Sequence, residues 1–441
     1  MSADRRRRLA VVGAGARAEM WVRAVGDHPD RVELVALADT NQARMDAHNR
    51  WLREAKRAPV PTYHANDLAT MLSSEKVDQL LVTSVDRTHA GHIVTALEAG
   101  CDVITEKPMT VDAESAQLIL DAVERTGRDV HVAFNYRFNP VHEVVRTLLA
   151  GGAVGEIGSV HFEWLLDVRH GADYFRRWHR DKANSGGLLV HKSGHHFDLV
   201  NWWLGAAPAE VYAQGRLFLY GPEGKRHGYA RNYERAYGAP EAKDDPFAID
   251  LAANPHLKEL YLDAEAEDGY FRDQNVFAPG VTIEDDLSVL VRYDTGATMT
   301  YHLTAYAPWE GYRLMVNGSQ GRLELEVVES DHVNPAAAHE LKGAAMHGTE
   351  AAPEQGGVTL TLRPYWKPPQ AVELLPHERG GHGGADRRMT AVLLGGRTDP
   401  LARSATARDG AFALLTGLAA NRSLQTAGPV HVADLLDAEM R

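Results

Sequence analysis

Residues 9–25 read LAVVGAGARAEMWVRAV. Leu9 to Val12 make a short apolar run, the pattern of a buried strand. The chain turns through Gly13-Ala-Gly15 and continues as an amphipathic helix. A parallel strand feeding a helix through small residues leaves backbone N–H groups free at the helix start. Those groups and the helix dipole attract a pyrophosphate. Gly13 permits the tight turn and Gly15 lets a phosphate approach, with Ala16 and Arg17 opening the helix. The third glycine of a G-x-G-x-x-G fingerprint falls at Ala18, and alanine is an accepted substitute.

Outward from this stretch, VELVALADT reads as a second strand ending at Asp39. A carboxylate there accepts from both adenosine ribose hydroxyls and repels a 2′-phosphate, so NAD is expected over NADP. Arg44 nearby works against that preference. The alternation continues. VDQLLVTSV is a strand, HAGHIVTALEAG a helix closing at Gly100, and CDVITEKPM a strand and turn. DAESAQLILDAVERTG is a capped helix and VHVAFNYRF a further strand. Strands and helices alternating at this spacing predict an α/β fold with a doubly wound parallel sheet.

The chain has 441 residues, which suggests two domains with insertions. It is 44% hydrophobic and 24% charged, as soluble globular proteins are. A net charge of −13 argues against nonspecific nucleic-acid binding. Cys101 is the single cysteine, so no intrachain disulfide forms and nothing points to an oxidising compartment. No apolar run approaches a membrane span. The run LAVV is too short for a secretory signal, so Arg5 to Arg8 are read as a solvated arm and a cytoplasmic location is expected by default. No internal repeat is found.

Glu106-Lys107-Pro108 follows a parallel strand at its carboxyl end, where ligands bind in such sheets. With it the chain resembles the Gfo/Idh/MocA family, named for glucose–fructose oxidoreductase and inositol dehydrogenase. The resemblance rests on GAGARA, Asp39, Asp86-Arg-Thr-His89 after the VTS strand, and EKPMT. Asn135-Tyr-Arg137-Phe-Asn-Pro140, a GG…H…D segment, Asn317-Gly-Ser-Gln-Gly321 and HGGAD at His382 to Asp386 continue it in order. It implies an NAD-binding Rossmann domain over residues 1–138. A C-terminal α/β domain with an open, mostly antiparallel sheet follows over 139–390, with insertions near 218–280 and 330–375. The remaining 391–441 form a helical segment packing back on the Rossmann domain. Homodimers or homotetramers are implied too. So is hydride transfer between NAD(P) and a sugar, inositol or similar polyol.

By the same resemblance Gly13, Gly15, Ala16, Arg17, Asp39, Thr83 and Ser84 serve the cofactor, as do His89, Glu106, Lys107 and Asn135. Lys107 and His195 flank the reacting hydroxyl. An ammonium at Lys107 stabilises a developing alkoxide, and His195 titrates near neutrality as a base needs to.

The GG…H…D segment lies in SGGLLVHKSGHHFDLVNWWLG, residues 185–205. The family commonly reads G-G-x-L-x-D-x-x-x-H-x-x-D there. Gly186, Gly187, His195 and Asp198 match, and His191 replaces the first acid. His191 and His195 are four apart and share one face of a helix, with Asp198 placed to orient the His195 ring. The i,i+4 histidines also allow a metal reading, but the family has no obligatory metal and no H-E-x-x-H pattern is present, so none is expected. His196 is expected to face away from the pocket, while Lys192 joins the site. Upstream, Tyr174, Arg176, Trp178 and His179 suit a sugar pocket. Arg137 and Asn135 bridge cofactor and substrate.

Residues 218–280 hold many aromatic and charged groups and are too hydrophobic for a disordered linker, so they are expected to form an ordered lid or an oligomer contact near the pocket mouth. HLKELYLDAE within them reads as a short helix. LSVLVRYDTGATMTYHLTAY and YRLMVNGSQGRLELEV are hairpins, VTLTLRP a strand, and HERGGHGGAD a loop whose His377 and His382 reach toward the active site. The leading reading is an NAD-dependent oxidoreductase acting on a small carbohydrate or cyclitol. A redox-neutral glycosidase or epimerase using transient oxidation is the alternative, and a non-enzymatic sugar-nucleotide-binding regulator a third.

Overall fold

The computed structural model describes residues 5–334, 355–374 and 383–436. They form two compact units. The first comprises Met1–Phe134, Asp250–Arg272 and Asp386–Ala411; the second comprises Asn135–Ile249, Asp273–Ala385 and Phe412–Arg441.

In the first unit the strands are β1 (Arg7–Val12), β2 (Val32–Asp39), β3 (Thr62–His64), β4 (Gln79–Val82), β5 (Asp102–Thr105) and β6 (Val130–Val132). They pair in parallel in the order β6-β5-β4-β1-β2-β3, and Ala405–Thr406 adds an antiparallel edge beside β6. This is the doubly wound order whose switch point lies between β1 and β4. Val12 to Leu9, the inner residues of β1, are all buried, as strands covered on both faces must be. The covering helices are α1 (Ala16–Asp27), α2 (Gln42–Glu54), α3 (Leu68–Ser74), α4 (His89–Glu98) and α5 (Ala113–Thr126). At α5 the Asp112 side chain accepts from Ser115 N, and Gly127 ends the helix in the left-handed region.

In the second unit α6 (Pro140–Ala150) precedes β7 (Ile157–Asp167), and α7 (Val168–Phe175) follows it. Then come α8 (Lys182–Ser185), α9 (Leu188–His191) and α10 (Ser193–Leu204). The remaining strands are β8 (Pro208–Arg216), β9 (Asp286–Tyr293), β10 (Thr298–Ala307), β11 (Glu310–Gly318), β12 (Gly321–Ser330), β13 (Gly357–Pro364) and β14 (Gln370–Ala371). The sheet runs β14-β13-β12-β11-β7-β10-β9-β8, with Val430–His431 at the far edge. Every pairing is antiparallel except β7 with β10. Burial alternates residue by residue along β9 and β10, so one face is packed and the other open. Both expected hairpins form, β9 with β10 and β11 with β12.

The units divide differently from the expected boundaries. The helix Ala407–Thr426 is not wholly a Rossmann element, because from Phe412 it belongs to the second unit. Gly417 explains this. A Cβ there would lie 2.4 Å from Leu189 O, so only glycine lets the helix approach α9 so closely. Asn421 Nδ2 donates to Gly186 O (2.7 Å), and Ala213 N donates to Ser423 Oγ (2.9 Å).

The inserted stretch is also divided. Its first part is pinned in the second unit by Asp285, whose carboxylate accepts from the backbone N–H of Phe218, Leu219 and Tyr220. Residues Asp250–Arg272 belong to the first unit. HLKELYLDAE is broken there into Pro255–Leu257, a π turn over Lys258–Leu262, and Glu265–Asp268. His377 and His382 lie outside the described residues.

Candidate functional site

In the first unit the chemistry gathers at the carboxyl ends of β1, β2, β4 and β5. Gly13 has φ +95°, and a Cβ on it would sit 2.4 Å from Ser84 N. Only glycine fits this turn. Thr83 Oγ1 donates to Gly13 O (2.5 Å), and Ser84 Oγ is hydrogen-bonded to Thr88 Oγ1 (2.7 Å). Asp39 ends β2 and accepts from Ala14 N (2.5 Å) and Asn41 N (2.9 Å). Burial pushes its carboxyl up; Arg44 and the two N–H groups oppose that. These residues fit a dinucleotide: a turn too tight for a side chain, then a fixed carboxylate one strand away.

The EKP motif is not a surface charge pair. Glu106 is buried, and its Oε1 accepts from Arg17 Nε (2.5 Å) and Trp21 Nε1 (2.8 Å). Arg17 reaches on to Asp386, with Nη2 to Oδ1 at 3.0 Å and Nη1 to Oδ2 at 3.2 Å. Burial alone would lower the Arg17 guanidinium pKa, but Asp386 and Glu106 outweigh it and raise it. Thus Arg17 links α1, the β5 turn and the HGGAD segment's acid. Lys107 is half-buried in that turn. Behind it, His89 lies within hydrogen-bond reach of Pro108 O (Nδ1, 2.9 Å) and Ser84 O (Nε2, 3.1 Å). Burial lowers the His89 pKa, which favours a neutral ring.

In the second unit Lys192, itself in helical conformation, joins α9, which ends at His191, to α10, which carries His195. Their rings have different neighbours. His195 stacks on Tyr136 with centroids 4.4 Å apart. Lys192 Nζ donates to Tyr136 Oη (3.1 Å) and lies 5.0 Å from the Trp164 ring centre. Burial raises the Tyr136 pKa and keeps its phenol protonated. His191 stands edge-on to His179 at 4.1 Å, and Trp178 stacks on His179 at 3.5 Å. Tyr174 meets both histidines edge-on at 5.8 Å. The structure therefore assembles Trp178, His179 and His191 as a ring cluster, and Lys192 with His195 around Tyr136.

Other predicted residues have partners of their own. Asp198 holds Arg137 in a buried bidentate pair, with Oδ2 to Nε at 2.8 Å and Oδ1 to Nη2 at 2.6 Å. This pair fixes α10 against the turn Asn135–Phe138. Arg176 is buried and donates through Nη2 to Phe247 O (3.0 Å), so it anchors the inserted stretch. His196 is buried, stacked on Trp164 at 4.0 Å and within 2.7 Å of Tyr301 Oη.

Sequence reasoning passed over two residues here. His48 Nε2 lies 3.1 Å from Ala14 O, and burial lowers its pKa from 6.5 to about 4. Its Nε2–H donates to the carbonyl. The four-residue spacing from Arg44 on α2 was the available signal. Tyr136 sits inside the Asn135-Tyr-Arg137 motif, yet only packing reveals it as the surface beneath His195.

Comparison with known proteins fits this geometry. Residues 7–134 match the oxidoreductase family profile described as an NAD-binding Rossmann fold, and residues 146–432 match its C-terminal alpha/beta domain. The Bacillus subtilis (strain 168) protein YteT is 34% identical over 418 residues, covering 92% of this chain and 93% of YteT. Inositol 2-dehydrogenase of Rhizobium meliloti (strain 1021) is 29% identical over 212 residues, 48% of this chain and 59% of that enzyme. Among solved structures, aldose-aldose oxidoreductase from Caulobacter crescentus has a TM-score of 0.62 at 16% identity, covering 97% of this chain and 100% of that one. At that identity the likeness concerns the fold. Among the described residues, no helix is long and apolar enough to cross a membrane. With both of its domains matched in order along the chain, this protein belongs to the Gfo/Idh/MocA oxidoreductase family.

Proposed function

We propose that the chain is an NAD-dependent dehydrogenase that moves a hydride between nicotinamide and a carbinol carbon of a sugar, sugar derivative or cyclitol. The observation that carries the cofactor choice is Asp39, fixed by Ala14 N–H and Asn41 N–H at the end of β2, where an acid in this fold meets the adenosine ribose. The substrate class draws support from the inositol 2-dehydrogenase relative. Bound nicotinamide supplies the hydride acceptor or donor. The remaining work falls to this chain's side chains.

Lys107, half-buried after β5, supplies an ammonium that stabilises a developing alkoxide. His195, held flat by Tyr136, takes the hydroxyl proton in the oxidation direction and returns it in reduction. Lys192 Nζ donates to the hydroxyl of Tyr136, the ring on which His195 stacks. Trp178, His179 and His191 offer ring faces and nitrogen atoms that suit the C–H and O–H surfaces of a polyol. Arg137 and Asp198 position α10, which carries His195.

Lys107→Ala tests the reading. Turnover falls by about 100-fold or more while NAD binding, read by NADH fluorescence, stays within a few-fold. Unchanged turnover would refute the role of Lys107.

A further inference from the structure

The segment Asp250–Arg272, inserted in sequence between parts of the second unit, belongs to the first. It lies across the amino-terminal ends of α1 and α2, the two helices that flank a dinucleotide's phosphates and ribose in this fold. Ala16 N, the first residue of α1, donates to Tyr261 Oη (3.3 Å). Glu267 accepts from Gln42 N (2.6 Å) at the start of α2. Asn41 Nδ2 donates to Ala264 O (2.8 Å), and Arg44 Nε to Leu260 O (3.0 Å). Leu260 and Ala264 are fully buried, so this is a packed strap.

Arg44 is the residue whose charge would welcome a 2′-phosphate. Its Nη1 lies 2.7 Å from Asp268 Oδ2 in the strap, and only 3.8 Å from Asp39 Oδ1. The Tyr261 and Tyr270 rings flank the guanidinium at 5.8 and 5.9 Å. We infer that Asp268 is a cofactor-specificity residue: it engages and neutralises Arg44, so that the ribose position rejects the 2′-phosphate of NADP. Asp39 supplies repulsion at that position, and Asp268 removes the attraction that would offset it. The inference rests on the proposed use of NAD.

Titration of the full-length protein with NAD+ and with NADP+ by calorimetry tests it, for wild type, Asp268→Asn, Arg44→Ala and the double variant. Asp268→Asn keeps the side-chain shape and frees Arg44. The NADP+ Kd should fall about tenfold, while the NAD+ Kd moves less than about threefold. In the Arg44→Ala background the same substitution should leave the NADP+/NAD+ ratio unchanged. A ratio unmoved by Asp268→Asn, in a protein that itself prefers NAD+, would overturn the inference alone. So would an equal change in the Arg44→Ala background. A wild-type preference for NADP+ would overturn the NAD reading as well.

Discussion

Asp198→Asn removes one charge from a buried pair and leaves Arg137 in place. The two side chains are 1% and 3% exposed, and both carboxylate oxygens are engaged by the guanidinium. Breaking a buried ion pair by removing one partner costs about 3–5 kcal/mol, because the remaining charge stays desolvated. For a unit of this size, each kcal/mol lowers Tm by roughly 2–4 °C, so the unfolding transition should drop by roughly 6–20 °C. Calorimetric melting at pH 7 reads it directly. The paired substitution Arg137→Met with Asp198→Leu should recover most of the loss, since apolar groups of similar volume replace such pairs at little net cost. A loss under about 1 kcal/mol for Asp198→Asn would refute the argument. It would mean that the carboxylate is dispensable to the placement of α10.

Two further predictions concern the first unit. Gly13→Ala places a Cβ 2.4 Å from Ser84 N on a backbone at φ +95°; strain and overpacking of roughly 2–5 kcal/mol should cut NADH binding at least tenfold by fluorescence titration, and near-normal binding would contradict the cradle. His48 is lowered from 6.5 to about 4, so the folded state binds fewer protons than the unfolded chain between those values. The corresponding stability, about 3 kcal/mol, is present above pH 6.5 and is lost as pH falls to about 4. His48→Asn should flatten denaturant-derived stability over that window, and an unchanged slope would show that His48 does not set it.

Much of the fold was legible because its signals are local. The continuous apolar runs of β1 and β2, the small residues at Gly13 to Gly15, and Asp39 at a strand end reflect short-range requirements. The alternation in β9 and β10 likewise follows from one buried face. The site was legible only in part. His195 and Lys192 were named, but Tyr136, which brings them together, had no local signature. The pairing of Arg137 with Asp198 joins positions 61 residues apart, and Ala16 meets Tyr261 across 245. HLKELYLDAE carries helix propensity and nothing that says which unit it joins. The different ring neighbours of His191 and His195 are a packing result within a helical pattern.

The most direct test of the central claim combines purified protein with NAD+ and a panel of free sugars, cyclitols and glycosides. Absorbance of reduced nicotinamide and loss of substrate are followed together. The account predicts a rise in NADH that matches substrate loss for a sugar or cyclitol, and that is weaker with NADP+. Substrate consumed with no net NADH would contradict a dehydrogenase and identify a redox-neutral reaction instead.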